Sequence, residues 1–155
     1  PSTERYEANL AAARQAGEVL LDGQTLDGHP RRNVVTPAIF EVTDTTHRLV
    51  QDELFSPIVV AERFAAEDAA VASANATRYG LAASVHTTDH ARARRVPRTL
   101  NSGTLRINCH KRQVAEAETG GYRESGMGRL HGLEGLADFM ETKHIYAEFG
   151  RVGGD

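Results

Sequence analysis

Apolar and polar positions along this chain change period several times, and each change marks an element. The alanine-rich stretch 2–16, with Leu10 on its inner side, reads as a helix capped by Ser2 or Thr3 and closed by Gly17. The run 18–21 reads as a short strand, and 22–32, with Gly23, Gly28 and Pro30, as a surface turn region. A β run over 33–42 is interrupted by Pro37, which has no N–H for a ladder, so its middle is not expected in a continuous central strand. Asp44 can cap a turn through Leu49. Segment 52–57 then leads into a strand over 58–64, with Pro57 fixing φ where the strand begins. If 52–57 is extended, Glu53 and Phe55 alternate around Leu54 and face the same side.

Farther on, Glu67 and Asp68 place negative charge in the first turn of a helix running to Arg78 and ended by Gly80. Residues 81–87 read as a strand. Asp89 opens a helix to about Leu100, in which Pro97 forces a kink or an early end. Ser102 and Gly103 turn the chain into a strand over 104–108. Alternating strands and helices, with strands about twenty residues apart, predict an α/β fold with a parallel layer. After a glycine-rich stretch, 133–140 reads as a helix and 143–149 alternates as a half-buried strand does. That last strand has no following element to pair with, and an unpaired edge invites association.

Composition narrows the class. A chain of 155 residues fits one domain, whose core need not be self-sufficient. With 40% hydrophobic and 25% charged residues it is an ordinary soluble composition. A formal charge of −3 argues against a nucleic-acid surface, and Arg92, Arg94, Arg95 and Arg98 read as a solvated helix face. The N-terminus lacks the apolar core of a signal peptide, and the aliphatic run 58–61 is far too short to span a bilayer, so no membrane partner is expected. One cysteine permits no internal disulfide and suits a reducing cytoplasm. A start at Pro1 rather than Met is expected of a processed or excised chain.

Candidate chemistry is sparse. Four glycines fall within 120–128, yet Met127 and Gly128 stand where a P-loop needs Lys and Ser/Thr, and His131 stands where the dinucleotide fingerprint needs its third glycine. A tight crossing of backbones is the reading left for that loop. Ser125 lacks the flanks of a nucleophile elbow. The seven histidines show no metal-binding spacing, so no metal is expected. Cys109 and His110 are adjacent at a strand end, where neighbours point to opposite faces, which is poor geometry for a nucleophile and its base.

The run 120–129, Gly-Gly-Tyr-Arg-Glu-Ser-Gly-Met-Gly-Arg, with 132–136 and 141–143, resembles the C-terminal signature of the aldehyde dehydrogenase superfamily. Segments 52–57, Asn75, 79–82 and 102–108 resemble that family's blocks in the same order, and the likeness extends from about Tyr6 to Phe149. The resemblance implies the C-terminal third of such an enzyme. Its fold would be a three-layer parallel-sheet segment of the catalytic domain over 1–141, with an oligomerisation strand and tail over 142–155. The family's nucleophilic cysteine, water-activating glutamate and Rossmann turn would all lie upstream.

By the same resemblance, Glu53 matches the carboxylate that accepts hydrogen bonds from the nicotinamide-side ribose, and Phe55 the aromatic packed near the nicotinamide. Spacing alone makes Glu53 a solvated charge and Phe55 a core residue. Asn108, Cys109 and Thr119 would border the substrate pocket, with no catalytic residue in this chain. Ser56 replaces the glycine usual before Pro57, Thr119 stands where many members carry an aromatic, and 110–118 is unusually charged, so neither an aromatic nor a long apolar aldehyde is implied. The cofactor would be NAD or NADP. The reaction would be oxidation of an aldehyde to a carboxylic acid, through a thiohemiacetal and thioester on a cysteine absent from this chain. The chain alone is expected to be inactive and to associate, with copies of itself or with a missing N-terminal part. A truncated, non-catalytic relative acting as an assembly or regulatory partner is the alternative, and a stand-alone small-ligand domain a third.

Overall fold

In the computed structural model, which describes residues 2–26, 28–29 and 33–150, helix α1 (Ser2–Ala16) lies across a three-stranded sheet of β1 (Gly17–Leu21), β2 (Ala38–Val42) and β3 (Ile58–Ala61). Tyr6, Asn9, Leu10 and Ala13 are buried, the spacing of one helical face. They meet Ala38, Phe40 and Val42, which alternate inward along β2. Leu49 of the short helix α2 (Arg48–Gln51) and Ile58 close this core. β2 is central, antiparallel to β1 and parallel to β3. Pro37 and Pro57 each sit one residue before their strand, level with one another, because Ala38 pairs with Ile58. The Ala38 N–H donates to the Pro57 carbonyl at 3.0 Å. Pro37 therefore opens β2 rather than interrupting a longer strand.

The second half carries α3 (Glu67–Asn75), β4 (Tyr79–Gly80), β5 (Ala82–Val85), α4 (His90–Arg95) with a 3-10 turn at Val96–Arg98, β6 (Thr104–Ile107), β7 (Tyr122–Arg123) and α5 (Gly132–Ala137). β5 and β6 pair in parallel, while β4 and β7 form a separate antiparallel pair. The fold is mixed α/β, but the expected single parallel layer appears as two parallel pairs in different ladders. The strand expected over 81–87 is shortened to Ala82–Val85, and Tyr79 and Gly80 just before it pair instead with Arg123 and Tyr122 of the glycine-rich loop.

Several boundaries move for identifiable reasons. α1 already includes Ser2, so neither Ser2 nor Thr3 is its cap, and the Thr3 hydroxyl donates to Asn33 Oδ1 at 3.0 Å. Asp44 accepts from the Thr46 N–H and hydroxyl, but α2 is capped by His47, whose Nδ1 accepts from the Leu49 N–H. β3 stops at Ala61, and the next two side chains are spent on Ser73 and Glu41. α3 stops at Asn75, whose side chain turns to Thr99 and Asn101. Pro97 ends the regular part of α4 early, in the 3-10 turn. The strand expected over 143–149 is not formed, since among the described residues it has no ladder to join, and 141–150 lie exposed without regular structure. The tail from 151 onward, part of the expected 142–155 unit, lies outside the described residues.

Candidate functional site

The turn that carries Glu53 and Phe55 links α2 to β3 and is held from below by α1. Phe55 adopts φ 49, in the left-handed region. The segment is therefore not extended, and the expectation that Glu53 and Phe55 share a side by simple alternation does not hold. Leu54 turns inward against the core, while Glu53 is exposed and the Phe55 ring is 77% exposed. Phe55 is therefore outside the core that the described residues form. The Arg5 guanidinium lies over the ring, 5.9 Å from its centre. Beneath the turn, the Leu54 carbonyl accepts from Asn9 Nδ2 at 3.1 Å and from the Ser56 hydroxyl at 3.1 Å.

The glycine-rich loop is a crossing of backbones. A Cβ on Gly103 would collide with the Gly120 carbonyl, and one on Gly121 would meet Ser125 at 2.6 Å. The Ser125 hydroxyl accepts from the Gly80 N–H at 2.9 Å, and Arg123 donates to the carbonyls of Asn75 and Thr77 at the end of α3. Ser125 is thus a loop hydroxyl that pins β4. Arg78 reaches both regions, with Nη2 3.4 Å from Asp52 and Nε 3.2 Å from Glu124. The glutamate-bearing turn and the glycine loop are joined through this one guanidinium. The Tyr79 hydroxyl to which Arg78 is hydrogen-bonded, then Glu124 and Asp52, hold it in its charged form.

The candidate pocket residues sit on other elements. Asn108, just past β6, has φ 54 and uses both ends of its amide on Thr87, accepting from its N–H at 2.8 Å and donating to its carbonyl at 2.9 Å. The alternation of β6 therefore stops before Cys109, and the opposite-face argument for Cys109 and His110 does not apply there. Cys109 is half-buried with a free thiol, and His110 Nδ1 lies 3.4 Å from the Ser84 hydroxyl. Thr119 forms a two-bond bridge with Leu130, at 2.8 and 2.7 Å, directly before the paired glycines. Glu118 next to it accepts N–H groups from its own residue, Leu133 and Glu134, which lowers its pKa below the usual carboxylate value. Its carboxylate thereby ties the charged 110–118 segment to the start of α5.

Asn9, Arg78 and Arg123 were not singled out in the sequence. Asn9 could have been found, since it is a lone amide inside the stripe Tyr6, Leu10 and Ala13. Arg92 and Arg95 are not simply solvated: both pair with Glu67, whose pKa they lower. Among the described residues no group of His, Cys, Asp or Glu could hold a metal ion, and no helix is long and apolar enough to cross a membrane.

The family model described as "Aldehyde dehydrogenase family" matches residues 2–145. A betaine aldehyde dehydrogenase of Brucella anthropi is 38% identical over 128 residues, covering 82% of this chain and 26% of that protein. One from Mesorhizobium japonicum is 36% identical over 152 residues, covering 96% of this chain and 31% of the relative. The crystal structure of a Mycobacterium tuberculosis aldehyde dehydrogenase complexed with NAD+ superposes with a TM-score of 0.85 at 28% identity, over 98% of this chain and 32% of that one. The chain thus spans under a third of the length of the curated relatives it matches.

Proposed function

Because this chain belongs to the aldehyde dehydrogenase family, we propose that it is the C-terminal part of an NAD(P)-dependent enzyme that oxidises an aldehyde to its carboxylic acid. The attacking thiolate lies outside these residues, and Cys109 is not it. Glu53 accepts hydrogen bonds from the ribose hydroxyls beside the nicotinamide, and Phe55 packs against the nicotinamide side. Asn108, Cys109 and Thr119 border the substrate.

The observation that carries this reading is the turn at 52–57. An exposed carboxylate offers acceptor oxygens to paired hydroxyls, and two residues on in the same turn a large apolar ring stands in solvent. Both suit a nucleoside. When bound, the nicotinamide supplies the hydride acceptor. This chain's residues bind and orient it. Arg78 keeps the turn against the glycine loop, and that loop holds Thr119 at the pocket's edge.

Association fits the tail, where Ile145, Tyr146 and Phe149 are all exposed and 143–149 has strand-like alternation. We read this segment as an edge that adds to a neighbouring subunit's sheet. Betaine aldehyde, named for the relatives, is the first substrate to assay. Quaternary ammonium groups are held by aromatic faces, and Thr119 offers none, so turnover of short uncharged aldehydes is expected to exceed it.

The test is Glu53→Gln in the full-length protein, with NAD+ and NADP+ affinity measured by calorimetry. Replacing one acceptor oxygen by a donor at paired hydroxyls is expected to weaken binding about tenfold. Unchanged affinity for both nucleotides would overturn the assignment of Glu53.

A further inference from the structure

We propose that Asn9, acting through Ser56, is a positioning residue for the nucleotide-gripping turn. It locks the backbone at Phe55 so that Glu53 and Phe55 are in place before a nucleotide arrives. The proposal rests on the reading of Glu53 and Phe55 given above.

Asn9 is only 5% exposed, on the face of α1 where Tyr6, Leu10 and Ala13 make the core. A buried amide is costly unless its hydrogen-bonding groups are met, and here they are. Arg48 Nη1 donates to Asn9 Oδ1 at 3.1 Å. A guanidinium can only donate, so this contact decides which end of the amide faces the turn. The Nδ2 group then reaches the Leu54 carbonyl at 3.1 Å and the Ser56 hydroxyl at 3.2 Å. Ser56 in turn donates its own hydrogen to Leu54 at 3.1 Å. The three contacts form a closed ring around Phe55, and each group in it is used in a way its chemistry allows.

What the ring encloses is the unusual backbone. Phe55 is an aromatic residue at φ 49, a conformation that persists only where the surroundings over-determine it. Ser56 is the departure from the glycine that the family resemblance implies, and Asn9 is the polar departure from an apolar stripe. Each makes sense through the other: Ser56 brings the hydroxyl that Asn9 needs as an acceptor, and Asn9 brings the donor that fixes Ser56.

The experiment compares Asn9→Asp, Ser56→Ala and Ser56→Thr. Asn9→Asp keeps the size and the Arg48 partner but turns an acceptor toward the Leu54 carbonyl. Ser56→Thr keeps the hydroxyl and serves as the conservative rescue. Amide hydrogen exchange in the 155-residue chain reports the turn through Ile58, which donates to Ser56 at 2.8 Å, and Ala38, which donates to Pro57. Calorimetry with NAD+ on the full-length protein reports its consequence. Asn9→Asp and Ser56→Ala are expected to speed exchange at Ile58 and Ala38 and weaken NAD+ binding, each about tenfold, with Phe40 exchange unchanged and Ser56→Thr close to the parent.

Unchanged exchange at Ile58 would overturn the clasp, as would acceleration spread equally over Phe40. Faster exchange at Ile58 with unaltered NAD+ affinity, in a protein whose affinity does fall on Glu53→Gln, would overturn the positioning role. If Glu53→Gln itself leaves affinity unaltered, the reading of Glu53 fails instead, and Ile58 exchange still decides whether the clasp forms.

Discussion

Residues 2–61 and residues 67–150 hold their shapes by different means. In the first region α1 and β2 bury Tyr6, Leu10, Phe40 and Val42 in one core. In the second, Val96 at 9% exposure is the one buried hydrophobic side chain among the described residues. Its geometry is kept instead by side chains that reach backbone groups: Asn75 to Thr99 and Asn101, Asn108 to Thr87, Arg123 to Asn75 and Thr77, and Ser125 to Gly80. Burial is non-directional and scales with area, whereas these bonds specify angles and contribute little net free energy apiece. The second region is thus well specified in shape but weakly stabilised on its own. It also leaves Leu133, Phe139, Ile145 and Phe149 largely in solvent, as a surface made for covering would.

The contrast can be broken most directly in the core. Phe40→Ala is expected to cost about 3–5 kcal/mol in urea unfolding, against about 1–2 kcal/mol for Val96→Ala. Equal costs would mean that the two regions share one core after all. A smaller effect is expected for Asn75→Ala, about 1–2 kcal/mol, because it removes an acceptor from the Asn101 N–H and a donor from the Thr99 carbonyl. Amide exchange should rise around α3 and the 99–101 turn while the amides of β2 stay slow. A uniform rise would place Asn75 in a single cooperative unit with the first region.

Acid sharpens the comparison further. Glu67, Asp89 and Glu118 in the second region are lowered: Glu67 by hydrogen bonds from Arg95 and Arg92, Asp89 by the N–H groups of Arg92 and Ala91, and Glu118 by the N–H groups at its own residue and Leu133. In the first region Asp44 alone among described groups is lowered, by Thr46. A carboxylate whose folded pKa is depressed adds stability above its unfolded value, about 3.9 for Asp and 4.3 for Glu, and that stability disappears as pH falls through the folded pKa. Asp44, Asp89 and Glu118 are exposed and Glu67 is half-buried, so the effect is screened and modest. Below about pH 4, α4 and α5 are expected to fray before β2 does, read residue by residue from NMR amide shifts. Loss of β2 at the same pH or earlier would count against the division.

The same division explains what the sequence disclosed. Where burial decides, periodicity was informative: α1 and the start of β3 were legible from alternation, and β2 was too, except that it is central and opens after Pro37. The parallel pairing of β5 with β6, which carries no buried residue, was legible from spacing alone. Where polar side chains decide, it was not. Asn75 stops α3 three residues before the expected end at Arg78, and no pattern of apolar residues records that. The backbone reversal at Phe55 was equally hidden, because a left-handed aromatic is made possible by residues 46 positions earlier and one position later, Asn9 and Ser56. The glycine loop was readable as a crossing of backbones because the steric exclusion at Gly103 and Gly121 is recorded in the glycines themselves, whereas the bonds of Ser125 and Arg123 that pin it are not. The tail was read as a strand from its alternation, and it remains irregular because a ladder needs a second member.

The two prolines that stand level at the head of β2 and β3 have a consequence for how the chain finds its shape. Neither can donate a proton, so a misaligned pairing that carried either one into the ladder would leave a neighbouring carbonyl unanswered. A shift of one residue would in addition turn Phe40 and Val42 outward. Pro37 and Pro57 therefore act as end stops, and the zipper between these strands has one alignment that keeps both prolines out of the ladder and Phe40 and Val42 in the core.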